Sequence, residues 1–197
     1  MAITDRRLMA PDPIAKAQRL IEELGPRLIL QIREKDLEPS ECLAWVRRLA
    51  PVADANGTAL LINGRLDVAR SANVGVHLPE RGLPIGSAAA LLRDSPERII
   101  SVARHSAHAA RLAAQEGAHI VLLSPIFVTP GKGPPLGLGE LQRAVVHFAQ
   151  PRTHARLFAL GGIGPTHAAA VWATGVDGVA AIRSVWEGDA HRLLGQP

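Results

Sequence analysis

The chain has 197 residues, of which 47% are hydrophobic, 20% charged and 3% aromatic, with a formal net charge of +4. That length can bury one substantial core, and the scarcity of aromatics argues against a base-stacking nucleic-acid surface. The single cysteine, Cys42, excludes an internal disulfide, and no apolar run is long enough to cross a membrane. The first expected strand is Ala2-Ile3-Thr4, and helical spacing follows from Pro11 to Leu24. Leu28 to Arg33 is a β-rich run in which Gln31, Arg33 and Lys35 project to one side. A helix is expected from Pro39 to about Ala50, then a strand over Ala59–Ile62 ending in Asn63-Gly64-Arg65. A helical turn over Leu66–Arg70 leads to the strand Val74–Leu78, a Pro/Gly loop, and a short helix over Ser87–Leu92. The strand Ile99–Ala103 precedes an alanine-rich helix over Ala107–Glu116, and His119–Leu123 is the next strand. The stretch Ser124 to Gly137 is irregular, and Leu138 to Ala149 is helical.

The stretch from Leu157 to Ser184 organises the rest. Phe158-Ala159-Leu160 reads as a buried parallel strand and runs into Gly161-Gly162-Ile163-Gly164. A helix from Pro165 stops at Gly175, and the strand Gly178–Ile182 opens into Arg183-Ser184. Two successive strand-to-turn corners thus offer backbone N–H groups to a phosphate. A last helix is expected over Asp189–Leu194. Eight apolar strands alternating with helices, undivided by a linker, predict one α/β domain over residues 1–197, a single (β/α)8 TIM barrel. An open doubly wound sheet would need a nucleotide fingerprint at the first βα turn, and Asp5-Arg6-Arg7 supplies none.

In such a barrel the residues after each strand share one mouth. They include Gln31, Arg33, Lys35, Asn63, Arg65, His77, Glu80, His105, Thr129, Lys132, Gly161, Gly162, Ile182 and Arg183. That set is basic and suits an anionic ligand. Each member has a plainer reading beside it: Arg33 and Lys35 could pair with Glu34 or Asp36, Arg65 with Asp67, and His77 could be a satisfied core histidine. No metal-ligand spacing, GxSxG or Cys–His arrangement is present, so no metal and no covalent nucleophile are expected.

Seven stretches, in order AITD, QIREKDL, LLINGRLDVA, GVHLPERGLP, SPIFVTPGK, LFALGGI and GVDGVAAI, resemble the thiamine phosphate synthase and TenI superfamily. The resemblance implies a (β/α)8 barrel. It implies that Gln31, Arg33, Lys35, Asn63 and Lys132 bind a pyrimidine diphosphate, and that Thr129 lies near a thiazole. It also implies that Gly161, Gly162, Ile182 and Arg183 hold a thiazole phosphate. Two aspartates that bind Mg²⁺ in the synthases are replaced by Gly64 and Gly82, and a strand-end serine by Ala103. The NGR triplet and HLP-type loop resemble the TenI branch, whose members are aromatising thiazole phosphate tautomerases with no metal requirement. The histidine of that branch falls near Pro125, so His105, then Glu80, would carry the proton. The expectation is therefore a TenI-like tautomerase of thiamine biosynthesis. A divergent synthase joining hydroxymethylpyrimidine diphosphate to thiazole phosphate is the alternative, and only it would call for Mg²⁺. A non-catalytic binder or regulator of a phosphate ester is the second alternative. The expected partner is a small-molecule phosphate ester, with no nucleic acid and no membrane, a homodimer allowed, and a cytoplasmic location.

Overall fold

The structure is a computed structural model that describes residues 1–95, 97–148 and 154–195. Eight strands pair in sequence order, each parallel to the next: β1 Ala2–Ile3, β2 Ile29–Ile32, β3 Ala59–Asn63, β4 Gly75–Leu78, β5 Ile100–Arg104, β6 Ile120–Leu123, β7 Arg156–Leu160 and β8 Gly178–Ala180. A parallel bridge between Ala2 and Ala181 joins the first strand to the last, with the Ile3 amide donating to the Ala181 carbonyl at 3.0 Å. This closes the sheet and leaves no edge to cover. The expected TIM barrel is what forms.

Alternation along the strands builds two cores. Ile3, Ile29, Leu61, Ile120, Leu122, Phe158 and Ala180 point inward and fill the barrel. The opposite residues, among them Leu30, Ile32, Ile62, Val76, Val102, Val121 and Leu123, meet the helices outside. The strands are therefore buried on both faces, and they read as continuous apolar runs.

The helices are α1 Pro13–Leu24, α2 Pro39–Asn56, α3 Leu66–Ala72, α4 Ile85–Leu91, α5 Ala107–Gln115, α6 Gly137–Phe148 and α7 Pro165–Trp172. Asp12 caps α1 by accepting from the Ala15 amide at 3.0 Å. The largest departure from the sequence reading is α2, which runs past the expected stop and holds Pro51 inside it. Proline removes one helix hydrogen bond, to the carbonyl four residues back. That residue is the exposed Arg47, where water can take the freed carbonyl. The helix ends at Gly57, whose φ of 68° is the left-handed value that closes helices. The expected last helix becomes a π turn over Val185–Asp189 and a 3-10 turn over Ala190–Leu193. Ala149, the expected end of α6, lies outside the described residues.

Candidate functional site

Register sets the first tier of the barrel mouth. Ile32 pairs with Ile62, so Arg33 and Asn63 follow at equal height; Asn63 pairs with His77, and His77 with Ser101. All four have inward parity. Gln31, one inward position below Arg33, is buried, and its amide reaches the Met1 sulfur at 3.6 Å inside the barrel. The structure thus places Gln31 beneath the rim rather than on it.

The His77 ring is 5% exposed and its Nδ1 lies 3.0 Å from Ser101 Oγ. Burial, reinforced by Arg33 and Arg104, pushes its pKa down from 6.5 to about 4. The ring is therefore neutral in the folded protein at pH 7 and serves as a satisfied core histidine. Because the unfolded chain takes up this proton near pH 6.5 and the folded one only near 4, His77 draws stability down as pH falls between those values. At about 1.36 kcal/mol per unit, its share reaches about 3 kcal/mol. Denaturant melts of wild type and His77→Asn from pH 7 to pH 4 check this, because the variant is expected to lose this part of the acid sensitivity.

The cations expected at the mouth divide into two sets. Arg65 is committed: Nε and Nη2 grip the Asp67 carboxylate at 3.0 and 2.6 Å. Arg183 lies 3.6 Å from Glu187 and is exposed. Arg33, Lys35 and Lys132 have no carboxylate within 4.0 Å among the described residues. Their expected neighbours are engaged elsewhere. Glu34 is buried and accepts from the Arg6 amide at 3.1 Å, while Asp36 takes the Arg6 guanidinium at 2.7 and 2.9 Å. The Lys35 ammonium is pushed below its ordinary value by the charge of Arg33, by burial, and by the charge of Lys132. Positive charges from β2 and from the β6–α6 loop therefore converge on one space without compensation.

Arg104 ends β5, is half-buried, donates through Nη1 to the Ala103 carbonyl at 2.7 Å, and has no carboxylate partner within 4.0 Å among the described residues. The sequence reading passed over it because the strand was expected to stop at Ala103. Its signal was the absence of any acidic residue between Ile99 and Gln115.

A second sector of the mouth is built from backbone. Gly161 and Gly162 have φ of 102° and 65°, values that favour glycine. A Cβ on Gly161 would sit 2.8 Å from Pro125 Cα, and one on Gly162 would sit 2.6 Å from the Val128 carbonyl oxygen. The loop after β6 packs straight onto this corner. The Phe127 amide donates to the Gly161 carbonyl at 3.0 Å, the Phe127 ring stacks on His167 at 4.2 Å, and Thr129 Oγ1 donates to the Phe127 carbonyl at 2.9 Å. Ser184 Oγ donates to the Ile163 carbonyl at 2.7 Å, tying the corner after β7 to the corner after β8. Among the described residues, no protein acceptor takes the amide hydrogens of Gly161, Gly162, Ile182 or Arg183. Such a set of free donors suits a phosphoryl group.

His105, after β5, and Glu80, after β4, come together with Nε2 and Oε2 3.1 Å apart. His105 Nδ1 is held by the Ser124 carbonyl. Pro125, where the TenI-type histidine would fall, is buried beside Gly161.

The positions that would carry magnesium ligands do not fit the ion. Gly64 and Gly82 offer no side-chain oxygen, and a Cβ on Gly82 would press to 2.8 Å of the Pro79 carbonyl oxygen. The nearby carboxylates of Glu34, Asp36, Asp67 and Glu80 each have a protein partner. No group of three or more His, Cys, Asp or Glu residues is placed to hold a metal among the described residues.

Comparison with known proteins agrees with this fold. A family model described as thiamine monophosphate synthase matches residues 1–185. The thiamine-phosphate synthase of Methanoculleus marisnigri is 37% identical over 166 residues, covering 82% of this chain and 75% of that protein. The thiamine-phosphate synthase of Clostridium novyi is 31% identical over 193 residues, covering 95% and 90%. The solved thiamine phosphate pyrophosphorylase of Pyrococcus furiosus superposes with a TM-score of 0.81 at 28% identity, over 97% of this chain and 88% of that one. With a family model matching residues 1–185 and relatives above 30% identity covered over most of their length, the chain belongs to the thiamine monophosphate synthase family.

Proposed function

We propose that this protein is a thiamine phosphate synthase, a transferase that joins a pyrimidine diphosphate to a thiazole phosphate. One observation carries the reading: the mouth carries two groups of unpaired donors of different construction, each suited to an anion. Uncompensated cations from β2 and the β6–α6 loop form one, and free amides after β7 and β8 form the other. Two phosphorylated substrates need both, whereas isomerising one thiazole phosphate needs only the second. The names of the relatives favour the same reading.

In this scheme Gly161, Gly162, Ile182 and Arg183 hold the thiazole phosphate, and Thr129 borders its ring. Arg33, Lys35 and Lys132 hold the diphosphate, with Asn63 beside the pyrimidine and Gln31 supporting that tier from below. The bond between the pyrimidine methylene carbon and the diphosphate oxygen breaks, and its electron pair leaves with the diphosphate. The thiazole nitrogen supplies the pair for the new carbon–nitrogen bond. Fixed cations stabilise the negative charge that grows on the leaving group. Incubation with both substrates, followed by chromatography, is expected to show thiamine phosphate and diphosphate in equal amounts. Absence of both products would overturn the reading.

A second reading, thiazole phosphate tautomerase, draws on the His105–Glu80 pair, because a histidine held at one nitrogen by a carbonyl and at the other by a carboxylate is oriented for proton transfer. Conversion of the non-aromatic thiazole phosphate by wild type but not by His105→Ala would favour it.

A further inference from the structure

We propose that Arg6 is a positioning residue of this site: by holding Asp36, and by closing over Glu34, it keeps both carboxylates away from Arg33 and Lys35 and leaves these two cations open to a phosphorylated ligand. This rests on the synthase reading above and names what keeps its diphosphate sector charged. The sequence poses the problem. Arg33-Glu34-Lys35-Asp36 alternates in sign and sums to zero, so a flexible segment of this composition would satisfy its own charges. The two anions must be diverted before the two cations can serve a ligand.

The segment after β1 diverts them. Thr4 is fully buried; its amide donates to the Gln31 carbonyl at 2.9 Å, and its Oγ1 accepts from the Arg33 amide at 2.8 Å. The two segments therefore stay paired past the strand ends and bring Arg6 to Glu34. The Arg6 amide donates to Glu34 Oε1 and Oε2 at 3.1 and 3.3 Å, and the Arg6 guanidinium stands 3.9 Å from that buried carboxylate. The same guanidinium grips Asp36 with both ends, Nη1 on Oδ1 at 2.7 Å and Nη2 on Oδ2 at 2.9 Å. A planar fork on a carboxylate fixes direction as well as distance. The Asp36 side chain is 54% exposed and next in sequence to Lys35, so this grip, rather than burial, decides which way it faces. Arg7, 3.9 Å from Asp36 and itself exposed, is a loose second contact. The segment is anchored beyond Arg6 as well: the Leu8 and Met9 amides donate to the Asp5 carbonyl at 3.0 and 3.1 Å, and Met9 is wholly buried.

Isothermal titration of the full chain with inorganic pyrophosphate, together with NMR titration of the Lys35 side chain, tests this in wild type, Arg6→Gln, Asp36→Asn and the double variant. Arg6→Gln is expected to weaken pyrophosphate binding about fivefold or more, the scale of one freed charge near the ligand. It should also move the Lys35 titration upward, because a released carboxylate favours the ammonium. In the Asp36→Asn background the same change is expected to cost no more than about twofold and to leave Lys35 where it was. A merely structural role would cost the same in both backgrounds. Arg6→Lys, which keeps the charge but loses the fork, should fall between wild type and Arg6→Gln. It takes the place of Arg6→Gln in the cycle if circular dichroism shows the latter unfolded. No binding by wild type, a constant within about twofold of wild type in Arg6→Gln, or an equal loss in both backgrounds would overturn the proposal. The synthase assay is scored apart. The predicted cycle without thiamine phosphate formation would sink the synthase reading and leave Arg6 its role, and thiamine phosphate formation with equal losses in both backgrounds would do the reverse.

Discussion

Gly162→Ala is expected to lower kcat/KM for the thiazole phosphate by about 100-fold or more and to destabilise the fold by about 2–4 kcal/mol. Two costs add. At φ of 65° an L residue takes on left-handed strain of about 1 kcal/mol. The new methyl group would lie 2.6 Å from the Val128 carbonyl oxygen and 2.8 Å from Phe127 Cβ. Neither neighbour can yield easily, because the Phe127 and Ile126 amides are bonded to the Gly161 and Leu160 carbonyls at 3.0 and 2.9 Å, and the Phe127 ring is stacked on His167. The β6–α6 loop must therefore move as a unit, taking Thr129 and Lys132 with it. Gly86→Ala is the control. That glycine lies in α4 with nothing within 4 Å of the added carbon, so the change is expected to be neutral or to stabilise by up to about 1 kcal/mol. Thermal melts and steady-state kinetics of the two variants decide the matter.

The second large effect is expected at Arg33. Arg33→Gln should lower kcat/KM for the pyrimidine diphosphate by about 100- to 1,000-fold, the range for removing one preorganised donor from developing negative charge. The KM for the thiazole phosphate should stay within about twofold, because the synthase reading places that phosphate on backbone amides in the other sector. The same variant has an electrostatic signature independent of turnover. Arg33 is the leading cause of the depressed Lys35 pKa, so removing its charge should move the Lys35 titration up toward the ordinary lysine value. NMR titration of the lysine side chains reads this directly. A Lys35 titration that did not move would mean that the two cations are not the close neighbours described.

How much of this was legible in the residues varies with the physics involved. The barrel was legible because parallel strands buried on both faces leave unbroken apolar runs, such as Ile120–Leu123 and residues 157–160, separated by amphipathic helices. The glycine corner was legible because left-handed backbone at a strand end demands a residue type. Element ends were less so. Pro51 reads as a stop, yet one missing N–H facing an exposed turn is tolerable, and α2 continues to Asn56. What sequence spacing could not decide was pairing. Arg65 stands where a ligand cation could stand, but Asp67 two residues on captures it. Glu34 stands between Arg33 and Lys35, but strand parity turns it to the opposite face, where the Arg6 amide takes it. Arg33 and Lys35 are free only because of that turn.

The expectation of a tautomerase gives way to the synthase reading for related reasons. It rested on what was missing, the two aspartates, more than on what was present. The cations of the mouth supply positive charge by a different route. His105 and Glu80 remain the acid/base candidates of the second reading, and in the synthase reading their contact braces the loop root at Ser124 against the β4–α4 turn.

The most direct test of the central claim, two anion sites of different construction in one mouth, is a crystal structure of the protein grown with thiamine phosphate and pyrophosphate in EDTA. The account predicts the phosphoryl group of thiamine phosphate on the amides of Gly161, Gly162, Ile182 and Arg183, with pyrophosphate among Arg33, Lys35 and Lys132. Both anions in the glycine corner, or a cationic sector left without pyrophosphate at saturating concentration, would contradict it.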